Sequence, residues 1–240
     1  MQQRIYTAAS GKGGVGKSTI AYELAQLTNS VLVDFEWDGA GVSYTWGYNP
    51  DTRTRDPLLD ALERGRTPRP LTGRGVKPDL VPGSEFLQDI DLAAEEFGER
   101  IVGWATEWGR SVVVDTHPGA SPAANGAMAE SNVIILPTTP DLKDLRGAER
   151  MVHAMADYPI IVVPNKIPRV PSKSTIAALE RIVEGTQIPI GPPIPHGGVS
   201  ISQRKKRMAL TGDTRPSMKI QPAIEQFRKL AKMVEEYGND

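Results

Sequence analysis

Cysteine is absent from the 240-residue chain, which excludes disulfides, thiol nucleophiles and thiolate-held clusters together. Histidine is nearly as scarce, at 117, 153 and 196 only, a scatter that suggests no zinc site. No run of about 18 apolar residues occurs, and the N-terminus lacks the charged, apolar, small-residue order of a signal peptide. The expectation is a cytoplasmic protein. Charge of one sign is lacking too: 28 Lys and Arg against 29 Asp and Glu leave a net −1, so no global basic field recommends nucleic acid, and any such contact must come from local patches.

What is present is ordinary in bulk and specific in one place. With 39% hydrophobic and 24% charged residues, the chain can bury one sizeable core, and residues 1–240 read as a single domain. Near the start, Ile5 to Ser10 reads as a short buried strand, and Ile20 to Leu27 has its apolar residues at helical spacing. Between them lies Gly11-Lys12-Gly13-Gly14-Val15-Gly16-Lys17-Ser18-Thr19, a G-x-x-x-x-G-K-S pattern between strand and helix. Glycines let the backbone wrap closely around phosphates and aim N–H groups inward, and the following helix adds the positive end of its dipole. Lys17 can reach β- and γ-phosphates, and the Ser18 hydroxyl can ligate Mg²⁺.

Further on, Val31 to Glu36 reads as a strand ending in acids, and the Gly- and Tyr-containing stretch from Ala40 to about Pro57 as a surface loop. Asp56 is placed to cap a short helix, Pro57 to Arg64. Residues 65–77, rich in Gly, Pro, Arg and Lys, suggest a mobile basic loop. Asp79 to Ser84 suggests a short third strand, and an acidic helix is expected from about Phe86 to Trp108, with Trp104 and Trp108 on one face for packing. Ser111 to Asp115 is an apolar strand ending in an acid, the Walker B pattern, which makes Asp115 a Mg²⁺ ligand opposite Ser18. His117 reads first as a surface histidine, with a sensor of nucleotide state or a dimer-interface residue as the alternatives. Helices over 121–130, 142–157, 172–184 and 221–237 alternate with strands over 133–137, 159–163 and a final stretch near 188–196. This alternation predicts an α/β fold: a doubly wound, mostly parallel sheet with helices on both faces.

Lys12, directly after the first glycine, makes K-G-G-V-G-K-S resemble the deviant Walker A motif of the ParA/MinD family of P-loop ATPases. In that family the early lysine reaches across a nucleotide-sandwich dimer to the partner's phosphates. Val33-Asp34-Phe35-Glu36-Trp37-Asp38-Gly39 falls where the family reads V-D-x-D-P-Q-G, and Asp115-Thr116-His117-Pro118-Gly119 resembles its D-T-P-P-G. Prolines are thus replaced by Trp37 and His117, and the family's water-orienting aspartate by Glu36. The resemblance implies a catalytic set of Lys12, Lys17 and Glu36, with Asp38 as the alternative carboxylate, and a metal set of Ser18, Asp34 and Asp115, Asp34 serving a conformational or water-mediated role. It implies that Asn165 hydrogen-bonds the purine base with Lys166 beside it, and that Pro193, Ile194 and Pro195 lie along the base. The absence of cysteine removes the nitrogenase-iron-protein branch, which bridges its dimer with an Fe–S cluster.

Arg204-Lys205-Lys206-Arg207 places four consecutive cations where ParA-like proteins carry a non-specific DNA surface. About four residues precede the first strand, so the expectation is a small ParA without the N-terminal DNA-binding extension of larger ones. The resemblance therefore implies an ATPase using ATP/ADP and Mg²⁺, a homodimer with ATP, nucleoid DNA as a partner, and hydrolysis stimulated by a ParB-like protein. A MinD-like membrane ATPase is the first rival, opposed by the mixed charges of the 221–237 helix. The second is an ATP-dependent metabolic ligase or kinase of the same fold.

Overall fold

The structure is a computed structural model and describes residues 3–39, 41–49, 56–197 and 208–237. Its centre is a sheet of six strands: β1 (Ile5–Ala8), β2 (Val31–Phe35), β3 (Leu80–Val81), β4 (Val112–Thr116), β5 (Val133–Thr138) and β6 (Ile160–Pro164). They lie in the order β3-β2-β4-β1-β5-β6 with every pairing parallel. All strand positions are buried, as expected for a sheet covered on both faces. The register sets Asp34 beside Asp115, and Ala8 beside both Asp115 and Ile135. One edge of the sheet, at the carboxyl ends of β1, β2 and β4, thereby collects the P-loop and the acids.

Alternate strand residues feed opposite layers, since successive side chains on a strand point to opposite faces. Tyr6, Ala8 and Leu32 pack with α1 (Lys17–Leu27), α2 (Val42–Trp46) and the last helix, α8 (Gln221–Glu236). Ile5, Val31, Val33 and Phe35 pack with α3 (Pro57–Arg64), α4 (Ala94–Trp108) and α5 (Pro122–Ala129). A third cluster joins β5 and β6 to α6 (Leu142–Ala154) and α7 (Lys173–Ile182). On α8, Ile224, Phe227, Leu230 and Val234 are buried against the sheet layer. Each such side chain contributes about 1.5–3 kcal/mol relative to exposure. Arg4 closes the far end of α8, donating to the carbonyls of Glu235 (2.7 Å) and Tyr237.

The expected cap at Asp56 is formed: its carboxylate accepts from the amides of Leu58 and Leu59. Four expectations are corrected. The helix from Phe86 to Trp108 is two elements, because the Ser84 hydroxyl caps a 3-10 turn over Glu85–Asp89, the chain extends at Ile90, and α4 restarts with Glu96 accepting from the Ala93 amide. The loop from Ala40 to Pro57 contains α2, closed by a left-handed Gly47. The basic loop 65–77 is anchored at several points. The indole N–H groups of Trp104 and Trp108 donate to the carbonyls of Arg66 and Pro68, Leu71 pairs with Leu80, and the Lys77 ammonium sits 3.2 Å over the Trp46 ring. The stretch near 188–196 makes only the bridges Val162 to Ile190 and Ile167 to Pro195, since prolines at 189, 192, 193 and 195 cannot donate to a ladder.

Candidate functional site

The P-loop leaves β1 and re-enters regular structure at Lys17, the first residue of α1. Gly16, just before it, has φ +101°, and a Cβ there would lie 2.0 Å from the Asn165 amide nitrogen. Only glycine fits this conformation and approach. Asn165 donates to the carbonyl of Val15 (2.7 Å), and Lys166 to that of Gly14 (2.6 Å), so the end of β6 braces the loop from outside. The loop borders a cavity of about 670 Å³ whose wall includes Gly13, Gly14, Gly16, Lys17, Ser18 and Thr19, with Glu36, Asp38 and Pro118 on one side and Asn165, Lys166, Ile194, Pro195 and Phe227 on the other. Gly11, Lys12 and Val15 border a different cavity of about 740 Å³, between the loop and α6. There the Lys12 ammonium pairs with Asp144 at 2.5 Å, and Asp144 also accepts from the Thr139 hydroxyl.

Three carboxylates, Asp115, Asp34 and Glu36, stand near the loop, and burial raises the pKa of each. Asp115, fully buried, is pushed up to about 8, by desolvation first and the Asp34 charge second, with Lys17 and Ser18 acting the other way. The Ser18 hydroxyl bears on the Asp115 carboxylate, yet neither Asp115 oxygen has a hydrogen bond of full geometry among the described residues. A buried carboxylate facing a P-loop serine is the oxygen donor set that Mg²⁺ takes, so Ser18 and Asp115 fit the ion. Asp34 differs: its oxygens accept from the amides of Glu36 (3.0 Å) and Ser43 (2.8 Å), closing the loop between β2 and α2, and its pKa rises to about 6 by burial. Gly41 permits this closure, because a Cβ there would lie 2.6 Å from Asp34 Oδ1.

Glu36, 8% exposed, is raised by burial, with His117 and Lys17 pulling it back. Asp38 is exposed on the rim. Between them stands His117, with Nε2 at 3.1 Å from Asp38 Oδ2 and 3.5 Å from Glu36 Oε1. Its ring stacks flat on Trp37, centroids 3.8 Å apart and planes 8° from parallel.

The CobQ/CobB/MinD/ParA nucleotide-binding domain matches residues 6–207, most of the chain. The chain belongs to this family. A ParA family protein of Mycoplasma pneumoniae is 27% identical over 196 residues, covering 68% of this chain and 71% of that protein. Among solved structures, apo McdA from Cyanothece superposes with a TM-score of 0.79 at 16% identity, covering 98% of this chain and 100% of that one. MinD from Pyrococcus horikoshii, complexed with Mg-ADP, gives 0.73 at 21% identity, covering 99% and 98%. At these identities the structural likeness shows the shared fold: a six-stranded parallel P-loop sheet with flanking helices.

In this ParA/MinD-family member the residues expected from sequence are sorted by the geometry. Lys17, Ser18, Glu36 and Asp38 share one cavity wall, with Asp115 buried beneath, and Lys12 is turned to α6. Asp34, expected in a conformational or water-mediated role, closes a loop, each of its oxygens accepting from one backbone amide. On the base side Asn165, Ile194 and Pro195 line the cavity, whereas Pro193 is exposed and contributes nothing to it. The amide nitrogen of Asn165 is committed to Val15, which leaves its Oδ1 as the atom to face a base. Arg204, Lys205, Lys206 and Arg207 lie outside the described residues.

Sequence reasoning missed two contributors. Phe227, assigned only to the docking face of the last helix, also reaches the cavity. His117, read first as a surface histidine, is 22% exposed and lies against both the buried Glu36 and the exposed Asp38. The available signal was the paired loss of two family prolines at 37 and 117, just beyond the register pair Asp34 and Asp115.

Proposed function

We propose that the chain is a ParA-type DNA-partition ATPase, cycling between an ATP-bound homodimer on nucleoid DNA and a released state in the cytoplasm. Hydrolysis is in-line attack of water on the γ-phosphate. The P-loop amides and Lys17 bind and orient the phosphates, Lys12 supplies a second cation across the dimer, and Glu36 holds the attacking water and receives its proton. Mg²⁺ at Ser18 and Asp115 would neutralise charge on the β- and γ-phosphates. A ParB-like partner is the expected stimulator.

The observation that carries the reading is a tie between the nucleotide loop and the flank of the basic run. Glu23, fully buried on α1, accepts from the Leu210 amide (2.9 Å), the Thr211 amide (3.0 Å) and the Thr211 hydroxyl (2.8 Å). The helix that opens with Lys17 thus holds the segment that follows Arg204 to Arg207 by only a few residues. The naming of the Mycoplasma relatives as ParA family proteins points the same way. The apolar face of α8 is spent in the core, and no described helix is long and apolar enough to cross a membrane.

The test is binding to non-specific duplex DNA in ATP, ADP and no nucleotide, with Arg204, Lys205, Lys206 and Arg207 intact or changed to alanine. The expected result is ATP-dependent binding that weakens steeply with salt and is lost in the alanine variant. No DNA binding in any state, with ATP binding intact, overturns partition; co-sedimentation with anionic vesicles would then support the MinD-like alternative.

A further inference from the structure

Beyond the P-loop site, the rim of the cavity holds a cluster that the hydrolysis reading leaves unexplained. The Pro118 carbonyl oxygen lies 2.9 Å from His117 Nδ1. A carbonyl can only accept, so Nδ1 carries the hydrogen and, in the neutral ring, Nε2 is a bare lone pair. That lone pair faces Asp38 Oδ2 at 3.1 Å and Glu36 Oε1 at 3.5 Å. In that neutral ring three acceptors converge, so the cluster holds either a second ring proton, donated to Asp38, or another cation. Glu36 Oε1 is buried and accepts no hydrogen bond within the described residues, and the Glu36 side chain is 7% exposed. An unpartnered buried oxygen aimed at two further donor atoms calls for a cation.

The spacing suits a metal ion. All three donor atoms lie within 4.8 Å of one another. Ligand atoms at about 2.0–2.2 Å from a tetrahedral ion stand about 3.4 Å apart, close to the two separations at Nε2. The ring is also held as metal-bound imidazoles are, with its other nitrogen donating to a backbone carbonyl and its plane fixed by Trp37. Three protein ligands with an open fourth position, one of them imidazole, select a borderline first-row dication over Mg²⁺ or Ca²⁺.

We infer that Glu36, Asp38 and His117 form a site for a zinc-class dication, separate from the Mg²⁺ position, whose occupancy withdraws Glu36 from the attacking water and stops hydrolysis. The inhibitory half rests on the role proposed for Glu36; the binding half does not. The scatter of histidines along the sequence hid the site, because its ligands come from the loops after two neighbouring strands, β2 and β4. With no cysteine in the chain, no thiolate competes for the ion.

The experiment titrates Zn²⁺ into the nucleotide-free protein in excess Mg²⁺ by calorimetry, repeats it with Co²⁺ followed by visible absorption, and compares wild type, His117→Ala and Asp115→Asn. The expected result is one equivalent bound by wild type and by Asp115→Asn, and affinity lowered at least about tenfold in His117→Ala. Far-UV circular dichroism and retained ATP binding show that His117→Ala is folded. Absence of Zn²⁺ binding, or binding unchanged in His117→Ala, overturns the site; the second result would leave a proton as the only cation there. Hydrolysis of excess Mg-ATP is then followed as Zn²⁺ is added, with inhibition expected in wild type and resistance in His117→Ala. Zn²⁺ bound through His117 without loss of hydrolysis overturns the inhibitory half. If the zinc-free protein hydrolyses no Mg-ATP, the ATPase reading fails while the binding result stands independently.

Discussion

The two ends of the cavity are built differently. The phosphate end is a continuous strand, loop and helix, residues 5–27, and most of its donors are main-chain groups whose placement follows from glycine positions and the start of α1. The water end is assembled from side chains on two loops, Glu36, Trp37 and Asp38 after β2 and His117 with Pro118 after β4, brought together only by strand pairing. Local sequence therefore dictates the first, and tertiary register dictates the second. Binding should accordingly be sensitive to one short segment, and turnover to a network that can drift while binding is preserved.

Substitution at the phosphate end should have the largest effect. Lys17 is 5% exposed and lines the cavity, so Lys17→Ala removes a buried cation from the phosphate site at a cost of about 2–5 kcal/mol. ATP affinity is expected to fall by about 100-fold or more, read with a fluorescent nucleotide, and hydrolysis with it. An unchanged Kd would mean that the main-chain cradle alone holds the phosphates and that the contrast between the two ends is wrong. The water end should respond in kcat. Glu36→Gln keeps the shape and hydrogen-bonding of the side chain but not its basicity, so turnover should drop about 100-fold with ATP affinity within about threefold of wild type. Asp38→Asn, on the exposed rim, should lower turnover by less than about fivefold. If the two swap magnitudes in single-turnover assays, Asp38 is the water-holding carboxylate.

The same contrast decides what was legible in the sequence. The P-loop, the strand that carries Asp115 and the cap at Asp56 each depend on neighbours a few residues away, and each stands in the structure, the strand shifted by one residue to Val112–Thr116. The break at Ile90 between the 3-10 turn and α4 was not legible, because an amphipathic acidic stretch carries the helical period through a pause set by capping at Ser84 and Glu96. Nor was the engagement of Asp34, whose amide partners lie two and nine residues ahead. The Trp37 and His117 stack was half legible: each residue departs from proline by itself, and only the parallel register of β2 and β4 turns two departures into one contact.

The Mg²⁺ position beside the phosphate end can be probed without nucleotide, through the pH dependence of stability. The buried Asp115 carboxyl titrates at about 8 in the folded chain against an ordinary value of 3.8. Between those values the unfolded chain has released a proton that the folded chain keeps, so stability falls as pH rises and levels off above the folded value. Asp34, raised to about 6, and Glu36, raised by burial, add to the decline in both proteins, so the difference between wild type and Asp115→Asn isolates the share of Asp115. Asp115→Asn should therefore flatten the decline of Tm between about pH 6 and pH 8 in the metal-free protein, with a gain over wild type of about 5 °C at the upper end. Adding Mg²⁺ and ATP should reverse the order, since only the wild-type carboxylate gains a cation there. A variant less stable than wild type at every pH would show that the carboxyl has a partner in the fold, and that the phosphate end, like the water end, depends on a side-chain network rather than on the loop alone.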